Sequence, residues 1–195
     1  MAHLLGLVLA GGDSRRMGRD KGELRYRGVA QARYHWDLLT RHLERCFVSI
    51  NPGQRNLGTY ADLPVIIDSR ARQGPATGLL AAHEIEPRAA WLVVAVDLVY
   101  VDDAAIGALI RGRQPSAAAT AFQHADGTIE PLLAIWEPAA LALLATRLAA
   151  GDASPRRCLE SAQVATLPSP GASVLESVDS PAQQAAVQRA VERRR

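Results

Sequence analysis

The chain opens on an unbroken apolar run, Leu4 to Ala10, with no polar residue alternating through it. A half-exposed strand would alternate with a period of two, so this run is expected to be a strand buried on both faces of a sheet. From Ala30 to Arg45, Tyr34, Leu38, Leu39 and Leu43 recur at helical spacing with Arg33, Arg41 and Glu44 between them, the pattern of an amphipathic helix. Cys46 to Ile50 is a second strand, stopped by Asn51-Pro52-Gly53. The alternation then repeats, with strand Leu63 to Ile67, a loop from Asp68 to Ala76, helix Thr77 to Glu86 and strand Trp91 to Val96. A helix from Asp102 to Arg113 leads to two strands, Ala117 to Phe122 and Ile129 to Trp136, around an Asp126-Gly127 turn. Helices should start at Pro138, Ser154-Pro155 and Ser180-Pro181; in the last two a serine cap precedes proline, and Gln183 adds a capping box to the last. Glu23 to Tyr26 reads as a short strand closed at Gly28, and Pro168 to Gly171 as a loop.

Strands separated by helices of this length imply right-handed crossovers and a mainly parallel sheet covered on both faces, an α/β fold. With 195 residues and 48% hydrophobic content the chain suits one sizeable core, so residues 1–195 are expected to form a single domain. Twenty-two basic residues stand against 20 acidic ones, and a formal charge of +2 gives no global basic field for nucleic acid. Cys46 and Cys158 have neither metal-ligand spacing nor the density of a disulfide framework, which fits a reducing cytoplasm. The apolar start runs into glycines and arginines rather than a cleavage site, and no run approaches the roughly 20 apolar residues of a membrane span.

Candidate chemistry concentrates in residues 7–22, LVLAGGDSRRMGRDKG. Gly11 and Gly12 follow the first strand and let backbone N–H groups converge on phosphate oxygens, while Arg15, Arg16, Arg19 and Lys21 supply countercharge. The spacing fits neither G-x-x-x-x-G-K-[ST] nor G-x-G-x-x-G, so this is another kind of phosphate loop, suited to a nucleoside triphosphate. Ligands of open α/β sheets bind outside the carboxyl ends of the strands, and Asn51, Asp68 and Asp97 follow three further strands at once. Asp97 ends the wholly apolar Leu92 to Val96; a carboxylate there must be solvated, paired or bound to a cation, and Mg²⁺ takes one or two carboxylates together with phosphate oxygens. The competing role, an aspartate that starts the next helix, fits Asp102 and Asp103 better. The five histidines show no zinc spacing, and Trp36, Trp91 and Trp136 read as core.

The segment Leu9-Ala10-Gly11-Gly12 through Ser14-Arg15-Arg16-Met17-Gly18 to Asp20-Lys21 resembles the signature loop of molybdenum cofactor guanylyltransferases, the MobA-like branch of the nucleotidyltransferases. The resemblance implies a three-layer, Rossmann-like nucleotidyltransferase fold and transfer of GMP from GTP to the phosphate of molybdopterin cofactor with release of pyrophosphate. It extends along most of the chain. Asn51, Asp68 and the stretch from Gly74-Pro75 to Gly78 look like the segments that hold guanine and ribose, and Asp97 like the magnesium ligand. Glu130 to Ala134 resembles E-P-L-x-A, and Ser154 to Leu159 resembles S-L-R-R-x-L. Val178-Asp179-Ser180-Pro181 resembles the closing N-x-[DN]-T-P.

On this resemblance Leu9, Ala10, Gly11 and Gly12 bind nucleotide, Lys21 and Arg16 hold the triphosphate, and Asp97 carries Mg²⁺. Ser154, Arg156 and Arg157 are either acceptor-binding groups or surface residues of a helix. Asp179 reads first as a loop aspartate leading into the last helix, with an approach to the metal region as the alternative. Leu98-Val99 stands where the family has Thr-Pro after the metal aspartate, and Ser177 where it has asparagine. The partners implied are GTP and molybdenum cofactor, with transient contact to cofactor-handling proteins and a monomer or small homo-oligomer. Two alternatives stay open: a relative with another nucleotide or acceptor, such as a cytidylyltransferase or a sugar-phosphate or phospholactate transferase, and a non-catalytic nucleotide-binding module.

Overall fold

The computed structural model describes residues 2–11, 20–68, 74–171 and 173–192. Their strands form one sheet: β1 (Leu4–Leu9), β2 (Cys46–Ile50), β3 (Val65–Ile67), β4 (Ala90–Ala95), β5 (Ala119–Gln123), β6 (Ile129–Trp136) and β7 (Val164–Pro168), in the order β3-β2-β1-β4-β6-β5-β7. Helices α1 (Gln31–Thr40), α2 (Pro75–Ile85), α3 (Asp103–Gly112), α4 (Pro138–Ala149), α5 (Pro155–Glu160) and α6 (Pro181–Glu192) complete the chain.

The unalternating apolar strands lie at the centre because both their faces are covered. Leu5, Leu7 and Leu9 of β1 pack with Trp91 and Val93 of β4 against α2, α4 and α5. Val8 packs with Leu92 and Val94 against α1 and α3 on the opposite face. The expected three-layer α/β/α arrangement is therefore present. All pairings are parallel except those of β6, which runs antiparallel to both β4 and β5. That reversal follows from the tight turn at Asp126-Gly127, where Gly127 takes a positive φ of 88°.

Three local expectations need correction. Glu23 to Tyr26 is not a strand: a 3₁₀ turn spans Lys21–Glu23, capped by the Asp20 carboxylate, and only an isolated bridge links Arg25 to Ala30. Helix α1 stops at Thr40 rather than Arg45, and Leu43 still packs against the core from the turn that follows. Strand β7 had no counterpart in the sequence pattern. Its residues are half-buried or exposed, so no apolar run marks it, and an edge strand tolerates Pro168 at its end.

Candidate active site

The carboxyl ends of β1, β3 and β4 and the start of α2 surround a cavity of about 280 Å³. Ala10 and Gly11 extend β1 into it, Asp68 follows β3, and Asp97 follows β4. A Cβ on Gly11 would meet the Asn51 nitrogen at 3.3 Å, so the loop enters close against the end of β2. Gly74 adopts a positive φ of 74° and lets the chain turn into α2, whose third residue is already bonded back through Thr77 Oγ1 to Gly74 O at 2.8 Å. The N-terminus of an eleven-residue helix thus borders the cavity through Gly74, Pro75 and Thr77, an arrangement that favours anionic ligand groups.

Lys21 spans the cavity mouth. Its ammonium donates to Asp97 Oδ2 at 3.2 Å and to Asp179 Oδ1 at 2.5 Å, and the lysine side chain is only 19% exposed. Burial works against the charge, but the hydrogen bond that Lys21 donates to Asp179 and the charge of Asp97 outweigh it and hold the lysine pKa above its usual value. Two carboxylates therefore converge on one positive charge. Hard oxygen donors around a point already held by a cation are a donor set that fits a divalent ion such as Mg²⁺.

The structure brings Asp179 to Lys21 and Asp97 as well as to the start of the last helix. It does precede a helix, and Gln183 Oε1 accepts from its backbone N–H, but its carboxylate lines the cavity rather than serving only the loop. Ser177 Oγ donates to its second oxygen at 2.9 Å, and the neighbouring Val178 N–H donates to Asp97 O at 2.9 Å. The closing segment is thus tied directly to the loop that carries Asp97. Leu98 and Val99 explain how. Both are buried, Leu98 in the core beside α1 and α3 and Val99 in a small cluster with Leu24, Tyr26, Val178 and Val187. Apolar residues after Asp97 anchor α6 through Val187. Burial, the Asp97 charge and Tyr100 push the Tyr26 phenol up to about 12, so it stays protonated beneath this segment.

Other expected site residues are distributed differently. Leu9, Ala10, Gly11, Lys21, Asp68 and Asp97 all line the cavity, and so does Leu132 of the Glu130 to Ala134 stretch. Asn51 stands behind Gly11: its Oδ1 caps a 3₁₀ turn by accepting from Gly53 N, and its Nδ2 approaches Gly11 O at 3.5 Å. Ser154 caps α5, and Arg157 shares Asp152 with Arg147; Ser154, Arg156 and Arg157 do not line this cavity. Gly12, Arg15, Arg16 and Arg19 lie outside the described residues. Sequence reasoning missed Ser49, on the cavity floor beneath Gly78, because a serine inside a strand carries no spacing signal.

Residues 6–167 match the MobA-like NTP transferase domain family. The chain belongs to this family. A molybdenum cofactor biosynthesis bifunctional protein of Synechocystis sp. is 36% identical over 160 residues, which cover 82% of this chain and 46% of that protein; the chain spans about half of that relative's length. A molybdenum cofactor guanylyltransferase of Pseudomonas syringae pv. syringae is 33% identical over 163 residues, 83% of this chain and 81% of that one. Among solved structures, molybdopterin-guanine dinucleotide biosynthesis protein A from Archaeoglobus fulgidus superposes with a TM-score of 0.81 at 19% identity, covering 97% of this chain and 99% of that one. At that identity the likeness establishes the fold, a MobA-like α/β/α sheet. The family span takes in every cavity residue named above except Asp179, which lies beyond residue 167.

Proposed function

We propose that residues 1–195 act as one nucleotidyltransferase domain that transfers GMP from GTP to the terminal phosphate of a molybdopterin-type cofactor, releasing pyrophosphate. The observation that carries this reading is Lys21, held between Asp97 and Asp179 at the mouth of a cavity floored by backbone and a helix N-terminus. Relatives named molybdenum cofactor guanylyltransferase support the choice of nucleotide and acceptor. The two free, buried cysteines agree with work in a reducing cytoplasm.

The acceptor phosphate is anionic at neutral pH, so its oxygen attacks the α-phosphorus without a general base. One P–O bond forms there, the α–β bridging P–O bond breaks, and pyrophosphate leaves with the electron pair. The protein's task is then alignment and charge neutralisation. Lys21 neutralises the triphosphate, assisted by Arg16, while Gly11 and Gly12 offer backbone donors. The α2 N-terminus favours anionic groups, Asp68 borders the nucleoside end, and Asn51 supports Gly11 from behind. Asp97, with Asp179 beside it, would hold Mg²⁺. When bound, that ion supplies charge stabilisation for phosphate oxygens.

The test is pyrophosphate release by the purified protein with GTP, CTP, or no nucleotide, in the presence of molybdopterin cofactor and Mg²⁺. Turnover with GTP is expected, and Asp97→Ala should lower kcat at least about 100-fold, the scale of losing one transition-state charge contact. Turnover with CTP alone would replace the nucleotide assignment. Near-normal turnover of Asp97→Ala would remove Asp97 from the mechanism.

A further inference from the structure

Two buried side chains outside the cavity join the two ends of its signature loop. Gln54 is 5% exposed and Tyr60 2% exposed, and neither lines the cavity. Gln54 Nε2 donates to Ala10 O at 2.8 Å, where the loop leaves β1. The same nitrogen donates to Asp20 Oδ2, where the loop ends. Gln54 is itself held from the other side, its Oε1 accepting from Asn51 N at 2.8 Å. Tyr60 OH donates to the other Asp20 oxygen, Oδ1, at 2.6 Å, and the Gly22 N–H donates to that atom at 2.8 Å. A buried amide and a buried phenol thus bind one carboxylate from the rear while a backbone amide binds it from the front.

The consequence falls on Lys21, the next residue. Asp20 caps the 3₁₀ turn Lys21–Glu23, so fixing the Asp20 carboxylate fixes the point from which the lysine side chain crosses to Asp97 and Asp179. The fit around Asp20 leaves little slack. A Cβ on Gly22 would lie 2.2 Å from Tyr60 Oη and 3.0 Å from Asp20 Oδ1, so the turn sits directly on the phenol. Burial and then Asp20 raise the Tyr60 pKa far above that of a free phenol, which keeps the hydroxyl a donor at every physiological pH.

We propose that Gln54 and Tyr60 are positioning residues which, through Asp20, hold the two ends of the signature loop at a fixed separation and place the Lys21 ammonium for triphosphate binding. This rests on the cavity being the nucleotide site.

Tyr60→Phe deletes one O–H and keeps the ring; Gln54→Glu keeps the shape but turns the donating nitrogen into an oxygen facing Asp20 and Ala10 O. The first readout needs no nucleotide. Hydrogen exchange of the Gly22 amide should quicken about fivefold in Tyr60→Phe, the loss of one modest hydrogen bond, and more in Gln54→Glu, with α2 and β4 unchanged. The second is a double-mutant cycle on GTP affinity by calorimetry: Tyr60→Phe should weaken binding about fivefold in the wild type and add nothing once Lys21→Ala is present.

Unchanged Gly22 exchange in both variants would overturn the proposal, as would a loss of affinity that is fully additive with Lys21→Ala. A wild-type protein that binds no GTP would sink the assignment of the cavity instead, and the exchange readout would still decide the clasp.

Discussion

Single residues here earn their roles from what surrounds them, and His35 shows the effect apart from any ligand. It is fully buried in α1, its Nε2 3.0 Å from the Gln31 amide nitrogen, and burial together with the Arg27 charge lowers its pKa to about 3. The folded protein therefore keeps it neutral at pH values where the unfolded chain, titrating near 6.5, takes up a proton. Stability from this residue is intact above pH 6.5 and falls as pH drops from there towards 3. Between pH 7 and pH 5 the loss should be about 2 kcal/mol, and His35→Leu should lack it. Urea denaturation of both proteins at the two pH values measures the difference; parallel losses would show that His35 is protonated in the fold. Lys21 is the opposite case, since carboxylates on two sides favour its charge despite burial.

At the scale of elements, the cavity exists because helix α2 approaches the sheet closely where β1 and β2 carry Leu9 and Ser49. Gly78 permits that approach: a Cβ there would meet Ser49 Oγ at 2.7 Å and Leu9 Cδ2 at 2.8 Å. Alanine usually stabilises a helix interior relative to glycine, so the sign of Gly78→Ala is a test of packing against propensity. We expect packing to win, with a loss of about 1–2 kcal/mol in urea denaturation and weaker nucleotide binding, since Ser49 and Gly78 both border the cavity. A variant as stable as the wild type would mean that α2 can lift from the sheet at no cost. The first and fourth strands were legible in the sequence because strands buried on both faces must be apolar throughout, and the second because its apolar run, broken only by Ser49, stops at Asn51-Pro52-Gly53. Strand β7 was not, because half-exposed edge residues need no such pattern.

Across the whole molecule, one buried ion pair joins parts of the chain that are far apart. Arg113, at the end of α3, binds Glu137, at the start of α4, through two hydrogen bonds of 2.7 and 3.0 Å, and also donates to Ala2 O at 2.9 Å ahead of β1. Their side chains are 11% and 5% exposed, so removing one partner strands the other. Glu137→Ala should cost about 3 kcal/mol by thermal or urea unfolding, whereas Arg113→Met with Glu137→Leu should recover most of it; an equal loss in the double variant would mean the pair itself, not the orphaned charge, is what matters. The same distinction between local and distant governs the site. Sequence by itself determined the layered α/β class, the glycine-rich basic segment after the first strand and the acidic strand ends at Asp68 and Asp97, because periodicity, glycine placement and a lone carboxylate after an apolar run are local patterns. Only the tertiary structure decided that β6 inserts between β4 and β5, that Asn51 stands behind Gly11, that Leu98 and Val99 face the core and that Asp179 meets Lys21. Those outcomes depend on contacts between residues far apart in sequence, such as the 158 positions separating Lys21 from Asp179, and no local pattern records them.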